Sequence, residues 1–302
     1  MTVAQHLGLA TALVVIPIAF LISLWTRNET NTFHWLLKAG YSGAFFLMMF
    51  VTGPWAWVSY HLRWAWLILY ALVITVSYRR QRAVPFRVTG GTRTWSDAVP
   101  LALFLAITAY ALTGFAVHEP GVYLEFPLRD GAYYVGQGGN NPLINYHNTH
   151  PSQKYALDIL AIDRWGRRAA GWYPAELDKY VMFGRPVYSP CDGVVTKVVD
   201  GHPDLSPPES DPQNAPGNHV VIHCHGVNVV FAHLKQESVT VAIGDRVDAG
   251  VLIGAVGNSG NTTEPHLHIH AVRAEAPDAI RGAGVPLYLD GRFLVRNNVV
   301  RK

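Results

Sequence analysis

The amino-acid sequence predicts two parts: an N-terminal α-helical membrane region of about four spans, residues 1–117, and a mainly antiparallel β soluble domain, residues 118–302. The first part contains uncharged stretches of 18 to 22 residues, and the second contains short β-branched runs separated by Gly, Pro and Asn. Charge divides the chain at the same place. Residues 1–117 carry eight basic and two acidic side chains, whereas residues 118–302 carry 16 and 19.

The overall composition excludes several classes of protein. Only 15% of the 302 residues are charged and 50% are hydrophobic, whereas ordinary soluble proteins carry roughly 25% charged residues. This excludes a disordered chain and a charged coiled coil. The basic residues lie between apolar stretches, so membrane topology explains them, and we predict no nucleic-acid partner.

Four stretches are predicted to cross the bilayer: Gly8–Trp25, Ala39–Tyr60, Trp64–Tyr78 and Ala98–Val117. A hydrocarbon core of about 30 Å needs about 20 helical residues. The third stretch has only 15 residues between two arginines, whose charged ends can extend to the interface. The alternative is a buried soluble helical core, but four such stretches are difficult to bury in so small a protein.

The charges of the connecting loops predict the orientation, because basic loops remain in the cytoplasm. The loops after the first and third stretches carry seven basic residues, and the loop after the second carries one. The seven are Arg27, Lys38, Arg79, Arg80, Arg82, Arg87 and Arg93, and the single one is Arg63. The N-terminus and everything after Val117 are therefore predicted to lie outside, with the lipid bilayer as the partner of the first part.

The soluble part is predicted to contain six strands and one long loop. The strands are Val194–Val199, His219–His223, Val227–Ala232, Ser238–Ile243, Val251–Val256 and His266–Val272. Gly201–Gly217 contains five prolines and is predicted to be a surface loop. A short helix is predicted near Ala175–Tyr180.

The two cysteines, Cys191 and Cys224, flank two of these strands. If the strands pair with Val194 opposite Val221, Cys191 lies opposite Cys224, within disulfide range. The predicted outer location is oxidising, so we predict a disulfide. The alternative is two small buried thiols.

Histidine alternates with apolar residues in His266-Leu267-His268-Ile269-His270. Residues two apart on a strand point to the same face, so three imidazoles share one face while Leu267 and Ile269 face the core. Several neutral imidazoles on one face are suited to a zinc site. The alternative is a polar strand face exposed to water.

A carboxylate in an apolar strand is the second feature of interest. Asp158 lies in Tyr155-Ala-Leu-Asp-Ile-Leu, and its burial is costly unless it is paired or metal-bound. His147 and His150 lie just upstream. One of them, with Asp158 and a distant histidine, makes a three-ligand set that leaves a position open for water, as catalytic zinc requires. A buried salt bridge or a strand-end turn is the alternative for Asp158.

A third feature is His233, which lies in the apolar run Val229–Leu234. A histidine in such a run is either a catalytic residue or, more commonly, a satisfied core or edge residue.

Seven segments in order resemble the lysostaphin-type (M23 family) zinc endopeptidases, which cleave peptidoglycan. The resemblance extends over about 145–272 and does not cover the membrane region. The segments are Tyr155–Asp158, Gly184–Val195, Gly217–Ile222, Phe231–Leu234, Gly244–Gly254, Gly257–Gly260 and Pro265–His268.

The resemblance implies the lysostaphin-type (hybrid-motif) fold, one Zn²⁺ per chain, Asp158 and His268 as metal ligands, and His233 and His266 as unligated catalytic histidines. The family's first ligand is a histidine four residues before the aspartate, where this chain has Lys154. The first ligand must then be His147 or His150. We favour His147, because its approach is strand-like and Pro151 constrains the chain after His150.

We therefore predict an integral protein of the bacterial cytoplasmic membrane whose periplasmic or extracellular domain is a zinc metalloendopeptidase acting on peptidoglycan peptide. A first alternative is a catalytically inactive relative that binds cell wall or a partner and regulates another hydrolase. Lys154 is the feature in its favour. A second alternative is a membrane sensor or transport accessory, but the three clear spans contain no charged residue for a transport site.

Overall fold

The computed structural model describes residues 3–26 and 29–302. It divides into two compact units, Met1–Leu112 and Thr113–Lys302. Arg27, one of the basic residues that predicted the orientation, lies outside the described residues.

The described part of the first unit contains five α-helices. They are α1 Val3–Ala10, α2 Ile16–Thr26, α3 Thr32–Thr52, α4 Leu62–Gln81 and α5 Thr92–Thr113. A π-helical turn, Thr11–Val15, joins α1 to α2. Helix α3 begins after Asn31, which caps its N-terminus: the Asn31 side chain accepts a hydrogen bond from the Phe33 N–H.

Three helical segments are long and apolar enough to cross a membrane: Leu7–Thr26, Thr32–Thr52 and Thr92–Thr113. The sequence predicted four, and the third predicted stretch, Trp64–Tyr78, is the one not among these three. It corresponds to α4, a 20-residue helix that ends in basic residues. The second predicted stretch was placed too late in the chain. Its helix ends at Thr52 because Gly53 takes an extended conformation and proline follows it.

Helix α4 runs parallel to the first helical segment. Near its start, Trp66 Nε1 donates to the Leu13 carbonyl at 3.0 Å, and near its end Arg80 Nη1 donates to the Trp25 carbonyl at 2.8 Å. Because residue numbers rise together along both segments, α4 extends alongside α2 over the same depth.

The second unit contains 14 strands among the described residues. They are β1 Val122–Leu124, β2 Ala132–Gln137, β3 Leu157–Ile162, β4 Pro186–Tyr188, β5 Gly193–Val199, β6 Asn218–Cys224, β7 Val227–Leu234, β8 Arg246–Val247, β9 Leu252–Ala255, β10 Leu267–Arg273, β11 Ala283–Val285, β12 Leu287–Leu289, β13 Arg292–Phe293 and β14 Val299–Arg301. Nine of them form one sheet in the order β14-β2-β3-β10-β7-β6-β5-β8, with β11 beside β10. Every pairing in this sheet is antiparallel, so the predicted mainly antiparallel β fold is confirmed.

One of the six predicted strands, Ser238–Ile243, is wrong. The backbone N–H groups of Glu237 and Val239 donate to the Asp200 carboxylate at 2.8 and 3.1 Å. The Thr240 N–H donates to the Ile253 carbonyl at 3.2 Å, so the segment contacts β9 without forming a regular ladder. The helix predicted near Ala175–Tyr180 is a single 3₁₀ turn, Leu177–Lys179.

The predicted disulfide between Cys191 and Cys224 is confirmed, with Cα atoms 6.5 Å apart. The register that predicted it is wrong, because Val194 pairs with His223 and not with Val221. An irregularity between Val195 and Lys197 shifts the pairing within the hairpin. The slip is two residues, so the side chains keep their faces.

Candidate metal centre and cleft

Strand β10 lies between β3 and β7 in the main sheet and presents two buried faces. Leu267 and Ile269 point into the apolar core, and His266, His268 and His270 point to the other side. The predicted alternation is confirmed. The alternative of a water-exposed face is wrong, because the three histidines are only 9%, 3% and 4% exposed.

Asp158 of β3 lies directly beside His268 of β10 in the antiparallel ladder. Its Oδ1 lies 3.0 Å from His268 Nδ1, and both of its oxygens lie 3.0 Å from His147 Nε2. His147 belongs to a 3₁₀ helix, Tyr146–Thr149, capped by the Asn145 side chain. One ligand atom from each of the three residues lies within 4.8 Å of the others. The chain thus brings together the three residues predicted as ligands.

His233 and His266 also lie close to His268. The ring centroids of His233 and His266 are 5.0 Å apart, and those of His233 and His268 are 5.8 Å apart. His266 Nε2 lies 3.4 Å from Asp158 Oδ1. These three histidines form a second group with ligand atoms within 4.8 Å, so His268 belongs to both groups.

A local backbone distortion brings His233 to this side of the sheet. Ala232 pairs with His268, so the next residue of a regular strand would point to the opposite face. His233 instead has a positive φ of 61°, a left-handed conformation that is uncommon for a non-glycine residue. Such strain is found at functional sites, and here it places the imidazole beside His266.

Hydrogen bonds determine which nitrogen of His268 keeps its lone pair. The Ile280 carbonyl can only accept, so His270 donates to it from Nε2 at 3.2 Å and must accept at Nδ1. His268 therefore donates from Nε2 to His270 Nδ1 at 3.0 Å. The lone pair of His268 is left on Nδ1, which faces Asp158.

Three further histidines have one ring nitrogen tied to an oxygen acceptor in the same way. In the neutral form of each, which a metal ligand must have, Nδ1 donates and Nε2 keeps the lone pair. The contacts are His147 to Gln153 Oε1 at 3.0 Å, His233 to the Ser259 carbonyl at 2.9 Å and His266 to the Glu264 carbonyl at 2.8 Å.

This set of groups fits a metal ion. Lone pairs of His147, His266 and His268 face the carboxylate of Asp158 at 3.0 to 3.4 Å, and acceptors at such distances repel one another unless a proton or a cation lies between them. Neutral imidazoles and a carboxylate are ligands that zinc takes in proteins. The Tyr146 hydroxyl donates to Asp158 Oδ2 at 3.3 Å and so orients the carboxylate.

The electrostatics of the cluster follow from burial and from the single carboxylate. Burial raises the pKa of Asp158, but protons on His147 and His266, which take the place of a cation between these groups, outweigh burial and hold that pKa well below its ordinary value. Burial lowers the pKa of His266, but the Asp158 carboxylate outweighs it and raises that pKa above its ordinary value. Burial lowers the pKa of His268 to about 3 and that of His270 to about 4. These two imidazoles are therefore neutral near pH 7, as a metal ligand must be.

Two residues that were considered for the position of the first metal ligand do not belong to the cluster. His150, the other candidate for the first ligand, is exposed and belongs to neither metal group. Lys154, at the position where the family has a histidine, forms an ion pair with Glu119 at 2.8 Å.

Sequence reasoning missed the residues that orient the cluster. Gln153 follows His147 by six positions and has no motif around it. His270 was recognised as part of the histidine face, but not as the partner of His268. Arg296 lies far along the chain and donates to the Ile144 carbonyl at 3.0 Å, next to the segment that carries His147. Only the alternation of histidines on β10 offered a signal for any of them.

A cleft of about 520 Å³ opens beside the cluster. The cleft is lined by the segment from Tyr146 to Gln153 and by four residues of the Gly201–Gly217 loop, Pro212, Gln213, Ala215 and Pro216. His147, His233 and His268 line the cleft. The arrangement can hold a metal ion beside a groove large enough for several residues of a peptide.

Residues 177–279 match Peptidase family M23. The match includes His233, His266 and His268, whereas His147 and Asp158 precede it. The chain is also 34% identical, over 110 residues, to the peptidoglycan DD-endopeptidase ShyA of Vibrio cholerae. The aligned part is 36% of this chain and 23% of ShyA, so the chain spans about a quarter of that relative. The second unit therefore contains a Peptidase family M23 domain.

Several solved structures are similar to part of the chain. The catalytic domain of the M23 protein EnpA from Enterococcus faecalis (A109H mutant) is 21% identical, with a TM-score of 0.29, over 43% of this chain and 72% of EnpA. The catalytic domain of lysostaphin from Staphylococcus simulans is 22% identical, with a TM-score of 0.25, over 36% and 80%. A zinc-containing peptidase from Vibrio cholerae is 22% identical, with a TM-score of 0.24, over 48% of each chain.

Proposed function

Because the second unit contains a Peptidase family M23 domain, we propose that the chain is a membrane-anchored zinc metalloendopeptidase. It hydrolyses peptide bonds in the cross-links or stems of peptidoglycan, outside the cytoplasmic membrane. The observation that carries the proposal is the convergence of imidazole lone pairs on the buried Asp158 carboxylate, beside a cleft.

In this proposal His147, Asp158 and His268 hold one Zn²⁺ per chain. Two imidazoles and one carboxylate leave a coordination position free for water or substrate. Zinc bound there would supply Lewis-acid polarisation and a more acidic water. The group that contains Asp158 is favoured over the three-histidine group, because it contributes a negative charge to the cation.

His233 and His266 move protons in the proposed reaction. Each is anchored through Nδ1 to a backbone carbonyl, that of Ser259 or Glu264, and presents Nε2 towards the centre. A neutral Nε2 can accept a proton from the attacking water. Once protonated, it can stabilise the oxyanion of the substrate and then protonate the leaving amine.

The substrate class and the location rest on independent observations. The relative ShyA is named as a peptidoglycan endopeptidase, and this chain has three helical segments apolar enough to span a membrane. An enzyme anchored by such helices, with its second unit outside, would act where the cell wall lies.

The inactive alternative depended on Lys154 replacing a ligand. His147 brings an imidazole to Asp158 from a different position of the chain, and Lys154 is engaged by Glu119. The alternative is therefore not favoured.

The test is metal analysis of the full chain together with its activity on purified peptidoglycan. We expect about one zinc per chain. Asp158→Ala and His268→Ala should lose both zinc and activity. His233→Ala and His266→Ala should keep zinc and lose roughly 10²- to 10⁴-fold in turnover. Loss of metal from His233→Ala would move the site to the three-histidine group, and metal-free inactive wild-type protein would support the inactive alternative.

A further inference from the structure

The cleft contains one side chain with a permanent charge among the described residues that line it, Arg281. No Asp, Glu or Lys is among those lining residues. Arg281 is exposed, and none of the ion pairs between described residues includes it. Its guanidinium is therefore open to a ligand in the cleft.

The backbone on both sides of Arg281 is held in place. On one side, the Ile280 carbonyl accepts from His270 Nε2 at 3.2 Å. On the other, the Gly282 N–H donates to Ser152 Oγ at 3.1 Å, and Ser152 itself lines the cleft. The charged side chain thus extends from a backbone whose two flanking residues are anchored to the cleft.

The preceding segment is anchored as well. Asn228, which is 1% exposed, donates from Nδ2 to the carbonyls of Ala276 and Ala279 at 2.9 and 3.0 Å. Strand β11, immediately after the segment, pairs with β10. A pre-positioned charge costs less conformational entropy on binding than one on a free loop.

Arg281 is also close to the candidate metal centre along a short path. His268 contacts His270, and His270 contacts Ile280, through two successive hydrogen bonds of 3.0 and 3.2 Å. Each residue of an extended peptide advances about 3.4 Å. A peptide whose amide lies at the centre would therefore bring its neighbouring residues within reach of the guanidinium.

We propose that Arg281 is a specificity-determining residue that binds a carboxylate of the peptide substrate, within a few residues of the scissile amide. The proposal rests on the proposed peptidase function and names its substrate class, a peptide with free carboxylates. A guanidinium matches a carboxylate with two parallel hydrogen bonds. The cleft offers no competing carboxylate among its described lining residues.

The experiment compares two matched cross-linked peptides, one with its carboxylates free and the other with all of them amidated. The readout is the ratio of kcat/KM for the two peptides with the zinc-loaded full chain. We expect wild type to favour the free carboxylates roughly 10- to 100-fold. Arg281→Ala should bring the ratio near one, Arg281→Lys should retain part of it, and Arg281→Glu should invert it.

Arg246→Ala is the matched control, because Arg246 is exposed and does not line the cleft; it should keep the wild-type ratio. A wild-type ratio that survives in Arg281→Ala overturns the proposal, and so does a wild type without preference. If wild type cleaves neither peptide, the peptidase function fails. In that case, the dissociation constants of the two peptides are measured by fluorescence anisotropy. Their ratio, compared between wild type and Arg281→Ala, then tests the role of Arg281.

Discussion

At the scale of single residues, the candidate centre depends on the nitrogen that each imidazole turns towards Asp158. His147 presents Nε2 and His268 presents Nδ1, and the difference follows from their other partners. An amide oxygen takes the Nδ1–H of His147, whereas His270 takes the Nε2–H of His268. These outer partners set the tautomers before any ion binds, and such partners are typical of metal sites.

His147 is expected to be the first metal ligand, and His150 provides a matched control three residues away. His147→Ala should lower zinc affinity sharply because a ligand in contact with Asp158 is lost. His150→Ala should leave the affinity near that of wild type, because its side chain belongs to neither metal group. Competitive titration against a chromogenic zinc chelator measures both. The opposite ranking would assign the ligand to His150.

His270 is expected to act as a positioning residue for His268. His270→Ala should lower zinc affinity about 10- to 100-fold, since partners of metal-bound histidines contribute that much. His270→Gln should restore most of it, because an amide can accept from His268 and donate to the Ile280 carbonyl. The absorption spectrum of the Co²⁺-substituted protein reports the ligand geometry directly. Wild-type affinity and an unchanged spectrum in the alanine variant would contradict this role.

The sequence predicted the β10 histidines well because alternation on a strand is a local property. It could place Asp158 in an apolar strand for the same reason. It could only narrow the first ligand to His147 or His150, because the choice depends on a 3₁₀ helix capped by Asn145. The role of His233 was available only from the resemblance, since its orientation depends on a positive φ at a strand end.

At the scale of elements, the predicted strands were those whose β-branched residues fill the centre of the sheet, such as β6 and β7. Most of the strands that sequence reasoning missed have only two or three residues, and several depend on distant partners. β1 pairs with β12 and β14 pairs with β2, across more than a hundred residues in each case. No local pattern identifies such pairings.

The hairpin β5–β6 is expected to lose stability in acid through His219. Its Nδ1 donates to the Gly217 carbonyl at 2.7 Å, and its buried Nε2 has no partner among the described residues. Burial lowers the pKa of His219, and the nearby charges of Lys197 and His202 add to that effect. A proton on Nε2 would therefore be a buried, unpaired charge.

The sign of this dependence follows from linkage. The unfolded imidazole takes up a proton below about pH 6.5, whereas the folded one resists until a lower pH. The free energy of unfolding should thus fall as pH decreases from about 6.5, by at most about 1.4 kcal/mol per pH unit. Thermal unfolding of wild type and His219→Gln between pH 7.5 and 5 measures how much of the pH dependence of stability comes from His219. His225→Gln, which changes an exposed histidine, is the control. Equal pH dependence in wild type and His219→Gln would refute the assignment.

At the scale of the whole molecule, the number of membrane crossings decides where the second unit lies. Helix α3 is antiparallel to α4, because Tyr70 Oη donates to the Ala39 carbonyl and Trp35 Nε1 donates to Ser77 Oγ, both at 2.8 Å. Helix α4 in turn lies beside α2 over the same depth and in the same direction. If α2 crosses a bilayer, α4 must cross it as well.

We therefore predict four crossings, although composition alone identifies three. Helix α4 has 20 residues, or about 30 Å, which matches a hydrocarbon core. Its arginines lie at its two ends, where they can reach the interface. Four crossings return the chain to the side of its N-terminus, which the loop charges place outside.

Single cysteines test this topology in intact cells, because the two native cysteines are joined in a disulfide. A membrane-impermeant maleimide should label His61→Cys, before α4, and His118→Cys, after α5. It should label Gly90→Cys, between α4 and α5, only after the cells are permeabilised. If α4 did not cross, Gly90→Cys would be labelled in intact cells and His118→Cys would be protected. That result would place the second unit inside the cell, away from the cell wall, and would exclude the proposed site of action while leaving the metal centre unaffected.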